Sequence, residues 1–165
     1  MDILAVWLSL LTAFTLWVAA SDFRFRRIRN HGLLIALLIQ SLWLLMTAAG
    51  GLSAHDLIPG WRQALAGFGL GLVMFYPLWR WNAMGAADVK LIATLGFLLG
   101  IKGVLPILLM ASVAAGVHGL VIVGQGGWSL ARAQWRQGTG SRRGVPYGAY
   151  LALSTLVWVM LRAYE

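Results

Sequence analysis

Carboxylates are the scarcest chemistry-bearing groups in this chain of 165 residues. Only five exist: Asp2, Asp22, Asp56, Asp88 and Glu165. Asp88 stands in the stretch Met84 to Leu91, Met-Gly-Ala-Ala-Asp-Val-Lys-Leu, between a small-residue turn and a long apolar run. An aspartate at the mouth of a hydrophobic segment is costly to desolvate, so such residues are firmly paired or functional. Two aspartates that share a site cannot both ionise easily, and one then holds a proton near neutral pH. Such a pair can take a proton from water with one member and donate to a peptide's leaving group with the other. Asp22, 66 positions before Asp88, is the expected partner. The Gly85-Ala86-Ala87 turn beside Asp88 leaves room for a peptide backbone to approach. The chain has no cysteine, which excludes disulfides, thiol catalysis and Cys-based zinc sites. His31, His55 and His118 lie in three different places without companion ligands, so no metal site is expected.

The elements that must carry these acids are membrane spans. The residues are 60% hydrophobic and 11% charged, against about half and a quarter in a soluble domain. A net charge of +8 would suit nucleic acid only on a soluble fold with a basic face. Here the basic residues punctuate hydrophobic runs, as in membrane proteins, and no nucleic-acid partner is expected. A helix needs about 20 mostly apolar residues to cross the bilayer core. The first such run, Ile3 to Ala20, is uncharged. It is not a signal peptide, because a basic n-region is missing and a basic stop-transfer cluster follows. Asp22 to Asn30 is then a short basic loop, and a second span follows from Gly32 to Ala49. Gly50 to Gln63 is a loop, and the third span covers Ala64 to Trp79, where Gly67 and Gly71 at four-residue spacing allow close helix packing. Arg80 to Ala87 is a loop. Gly100-Ile101-Lys102-Gly103 divides the next stretch into a fourth span (Asp88 to Leu99) and a fifth (Val104 to Val123). Asp88 to Gly100 makes only roughly 20 Å of helix, short of the roughly 30 Å hydrocarbon core, so Asp88 is expected below the membrane surface. Gly124 to Gly144 is a polar loop, and Val145 to Leu161 is the sixth span. The expectation is an all-α integral membrane protein of six transmembrane helices, a single domain over residues 1–165.

Basic residues in alternating loops set the orientation. One set holds Arg24, Arg26, Arg27, Arg29, Arg80, Lys90, Arg132, Arg136, Arg142 and Arg143, the other Arg62, Lys102 and Arg162. The first set belongs in the cytoplasm, with both termini on the non-cytoplasmic side. Asp22 and Asp88 are then the two acids of the cytoplasmic face, at one depth. For them to meet, the first and fourth helices must pack side by side.

The motifs have a family resemblance. Gly85-Ala86-Ala87-Asp88-Val89-Lys90-Leu91 resembles the G-x-G-D-x-K-[LF] motif of the type IV prepilin peptidases, the GxGD intramembrane aspartyl proteases. Asp22 through Asn30 is similar to that family's first motif, an aspartate followed by arginines and closing on Ile-Pro-Asn. Val145-Pro146-Tyr147-Gly148 is similar to the Pro-Tyr-Gly element that opens its last span. The resemblance implies cleavage of the leader from type IV (Flp-type) prepilins or pseudopilins at the cytoplasmic face of the bacterial inner membrane. Asp22 and Asp88 would be the catalytic pair, with water as nucleophile and neither metal nor cofactor. Gly85, Ala86, Ala87, Lys90, Asn30 and Tyr147 would support the site. Without cysteine or an amino-terminal methylating domain, the chain resembles the short, cleavage-only form of tight-adherence pili. Two positions depart from the pattern. Ala87 replaces the second glycine, and alanine dislikes positive φ; Arg29 replaces the proline before Asn30.

Simpler roles exist for each residue. Asp88 can cap a helix, Asp22 can pair with Arg24, Arg26 or Arg27, and Lys90 can snorkel to the interface. The arginines at 24–29 are chiefly a topology signal and secondarily a contact for anionic lipid headgroups. The alternative from another class is a non-catalytic scaffold or degenerate paralogue in pilus or secretion assembly. A small transporter fits less well, because ion pathways place ionisable groups inside the spans.

Overall fold

The structure is a computed structural model, and it describes residues 3–25, 29–50, 57–122, 124 and 147–163. Among them all regular structure is helical: α1 (Ile3–Phe25), α2 (Asn30–Ala48), α3 (Trp61–Arg80), α4 (Ala86–Ile122) and α5 (Tyr147–Ala163). Three helical stretches are long and apolar enough to cross a membrane, Leu4–Arg24, Asn30–Ala48 and Ala86–Val121, and Tyr147–Arg162 is a shorter apolar helix. Most of the expected loop at 124–144 lies outside the described residues.

α4 is one helix by hydrogen bonding but two by geometry. Gly100 breaks it with φ 67° and ψ −176°, a conformation essentially reserved for glycine. In a straight helix, Cβ atoms four residues apart are about 5–6 Å from each other. A Cβ on Gly103 would stand 2.6 Å from the Leu99 Cβ, so the chain folds sharply here. The two arms, 86–99 and 101–122, then run back toward the same end of the bundle. The expected division near Gly100 is therefore present, made by a single residue.

The first arm is the centre of the molecule. Every residue from Leu91 to Gly100 is buried, as expected of a helix that is apolar all round. α3 lies antiparallel to it at very short range: a Cβ on Gly67 would fall 2.2 Å from the Gly96 carbonyl oxygen, and one on Gly71 2.9 Å from the Ala93 Cα. Gly67 and Gly71 thus do what their spacing predicts. The second arm packs antiparallel to α5, with Gly103 near Trp158 at one end and Ser112 bonded to Tyr147 at the other.

α1 buries one stripe, Trp7, Leu11, Thr15, Val18 and Asp22. It packs along α5, which itself packs on α4. The expected side-by-side packing of the first and fourth helices is not how the bundle is built; α1 and α4 are joined chiefly through α5. α2 is peripheral, resting on α4 through Leu33, Ala36, Gln40 and Leu44. Its outward side chains Leu34, Ile35, Leu38, Leu42 and Leu45 are all more than half exposed, the surface of a helix that faces lipid.

α2 begins at Asn30 and α3 at Trp61, earlier than the expected Gly32 and Ala64, and two further boundaries, both at the acids, differ from the sequence reading. α1 continues through Asp22 to Phe25, because nothing in Ser-Asp-Phe-Arg-Phe breaks a helix, so Asp22 belongs to a helix end rather than a loop. α4 begins at Ala86, so Ala86 and Ala87 form its first turn.

Candidate active site

Asp22 is the last member of the buried α1 stripe and is only 8% exposed. A buried carboxylate needs a donor, and α5 supplies one. The Ala149 backbone N–H donates to Asp22 Oδ2 at 2.8 Å. Ala149 is the third residue of α5, where backbone N–H groups have no partner within the helix, and the positive end of the helix dipole favours an anion. Gly148 and Ala149 are both buried, small residues that let the backbone come this close.

Asp88 stands in the first turn of α4, placed by the end of α3 and the turn after it. Asn82 adopts φ 57°, the left-handed conformation that asparagine tolerates best after glycine. The Asn82 N–H donates to the Trp79 carbonyl at 3.0 Å and the Ala83 N–H to the Leu78 carbonyl at 2.8 Å, the paired bonds of a Schellman motif. The chain then passes Gly85 and starts α4, with the Asp88 and Val89 N–H groups both donating to the Gly85 carbonyl. Asp88 is half-buried in the first helical turn. Its carboxylate folds back over Gly85, where a Cβ would meet Oδ2 at 3.2 Å. The two acids expected to work together, Asp22 on α1 and Asp88 on α4, lie within electrostatic range of each other.

The supporting residues divide into two groups. Gly85, Ala86 and Ala87 adjoin Asp88 directly. Ala87 lies in helical backbone, with no positive φ, so the absent glycine costs no strain there. Tyr147 is half-buried at the start of α5, two residues before the donor to Asp22, and its hydroxyl bonds Ser112 Oγ at 3.1 Å. Lys90 and Asn30 form a separate exposed contact between α4 and α2, Nζ to Oδ1 at 3.4 Å, beside an apolar cavity of about 320 Å³. Among the described residues no three His, Asp or Glu side chains gather as a metal-binding cluster.

The sequence reading missed Ser112, Tyr150 and the Ala149 N–H, and it named His118 only as an isolated histidine. Tyr150 bonds His118 Nδ1 through its hydroxyl, so the first turn of α5 is tied to the second arm of α4 at two points. One signal was available. Asp88 and Ser112 stand twelve residues before and after Gly100, so a reversal there must bring them to one level.

A family model described as the type IV leader peptidase family matches residues 9–120. A curated relative from Xanthomonas campestris pv. campestris, named prepilin leader peptidase/N-methyltransferase, is 33% identical over 107 residues, which cover 60% of this chain and 32% of the relative. The chain thus spans about a third of that relative's length. No solved structure matches. The matched region holds both aspartates, the turn before Asp88 and the Gly100 reversal, and the chain belongs to the type IV leader peptidase family.

Proposed function

We propose that this chain is an aspartyl endopeptidase of the bacterial inner membrane that removes the leader of type IV prepilins or pseudopilins. What supports the reading is that Asp22 and Asp88, acids 66 positions apart, lie within electrostatic range of each other in a chain of this family. In the proposed reaction, water attacks the scissile carbonyl carbon. One carboxylate accepts the water's proton as the new C–O bond forms. The other, protonated, donates to the amide nitrogen as the C–N bond breaks. The Ala149 N–H keeps Asp22 in place throughout, and Gly85 keeps the approach to Asp88 open.

The distribution of basic residues supports an active site facing the cytoplasm, with both termini outside. Among the described residues, six helical segments, counting the two arms of α4 separately, support six spans in a single domain. The partners are then the prepilin in the membrane and the bilayer itself.

Co-expression with a candidate Flp-type prepilin tests this. Leader removal should shift the pilin on a denaturing gel, and Asp22→Asn or Asp88→Asn should each abolish the shift while the protein still accumulates in the membrane. If processing survives either substitution, the paired-acid mechanism is wrong and a scaffold role replaces it.

A further inference from the structure

An elongated, largely apolar groove of about 410 Å³ runs between α1 and α2, and neither aspartate lines it. Trp7, Phe14 and Trp17 of α1, Ala36 and Ile39 of α2 and Leu98 of α4 form its walls. Two contacts bridge α1 and α2 along it. Trp7 Nε1 donates to Gln40 Oε1 at 2.9 Å, and the Trp17 ring covers Gly32 so closely that a Cβ there would be 2.2 Å from it. Trp7 to Trp17 is ten residues, about 15 Å of helix, a length that suits one extended chain lying between α1 and α2. An extended peptide would leave most of its N–H and C=O groups unpaired, at several kcal/mol each, because Gln40 is the polar side chain that lines the groove away from its mouth. A hydrocarbon chain carries no such penalty. Ile35 and Ile39 are 56% and 40% exposed, so the groove opens sideways to the bilayer.

The mouth has the opposite chemistry. Arg29 and His31 line it, both exposed. They stand at the N-terminus of α2, which has no side-chain cap and no acid in its first turn. Cations at a helix N-terminus oppose the dipole, whereas an anion there is favoured and finds free backbone N–H groups. This end of α2 is built the wrong way round for a helix standing alone and the right way round for one that holds a phosphate.

We propose that the groove between α1 and α2 binds one anionic phospholipid, with an acyl chain between the helices and its headgroup phosphate on Arg29, His31 and the first turn of α2. The lipid fills the gap that leaves α2 peripheral.

Tryptophans in the walls make the test direct. The full-length chain in detergent micelles is titrated with phosphatidylglycerol or phosphatidylcholine brominated in the acyl chains, and tryptophan quenching is followed. Brominated phosphatidylglycerol should quench at a fivefold or more lower mole fraction, the factor expected from about 1 kcal/mol per basic residue near an anionic group. Trp17→Phe should remove part of that quenching. Arg29→Gln with His31→Gln should bring the two lipids within twofold of each other. Ile39→Trp, which narrows the groove but leaves Trp17 in place, should weaken phosphatidylglycerol quenching. Equal quenching by both lipids, or indifference to the Arg29 and His31 changes, overturns the proposal. So does displacement of the brominated lipid by a peptide of the prepilin's apolar helix, which would assign the groove to substrate.

Discussion

Replacing Gly100 with alanine asks directly whether α4 reverses. In a continuous helix, Gly→Ala stabilises by about 1 kcal/mol, because alanine loses less backbone freedom. At Gly100 the sign inverts. A φ of 67° with ψ near 180° costs a residue with a Cβ about 1–3 kcal/mol. The new methyl also stands 3.0 Å from the Pro59 Cβ and 3.3 Å from the Gln63 Cβ, where little can yield. Gly116, in the second arm, is the control: it is helical, and a methyl added there would meet nothing within 4 Å, so Gly116→Ala should be neutral or stabilising. The two alanine variants should therefore differ by about 2–4 kcal/mol. Reversible unfolding of the purified protein in mixed micelles, followed by far-ultraviolet circular dichroism, measures that gap. Gly100→Ala should also slow leader removal, because the reversal brings Asp88 and the second arm to one level. If it proves as stable as Gly116→Ala, the two arms form one rod and the paired-acid site cannot assemble.

Three further contacts each carry a prediction. Gly67→Ala should destabilise by about 1–3 kcal/mol or more, since the new methyl meets the Gly96 backbone, whereas Gly69→Ala meets nothing and should be silent in the same unfolding assay. Asp22→Asn keeps an acceptor for the Ala149 N–H and should lose processing with little loss of stability. Asp22→Ala strands that buried donor and should unfold about 1–3 kcal/mol more easily than the asparagine variant. Tyr147→Phe and Ser112→Ala each remove one side of the same hydrogen bond, so each should cost about 0.5–1.5 kcal/mol. The double variant should cost no more than the worse single one, a non-additivity that a double-mutant cycle reads directly.

Patterns that depend on spacing were legible in the sequence, and those that depend on backbone groups were not. Gly67 and Gly71 announce a close helix contact because nothing but small residues at that interval lets backbones touch. The Gly100 break is legible because a 37-residue apolar run is too long for one crossing and glycine is the residue that turns it. The donor that fixes Asp22 is a backbone N–H, which every residue except proline carries, and no side-chain pattern marks Ala149. The same holds for Asn82, whose left-handed turn depends on where α3 stops. The expected α1–α4 contact failed for a related reason. Apolar helices of similar composition do not encode which neighbour they choose, and here α1 chose α5.

That choice changes how the acid pair is held. If α1 and α4 packed directly, the separation of Asp22 and Asp88 would depend on one helix interface, and any slip along it would part them. With α5 between them, Asp22 is fixed by a hydrogen bond to the start of α5, and the same turn of α5 is tied by Tyr147 and Tyr150 to Ser112 and His118 on α4. Asp88 is fixed on the other arm of that helix, twelve residues from the Gly100 reversal. The replacement of the motif's second glycine by Ala87 fits this arrangement. The left-handed turn is already made at Asn82, five residues earlier, and position 87 needs only to be helical. Alanine, the best helix former, strengthens the first turn of α4 where Asp88 must be held.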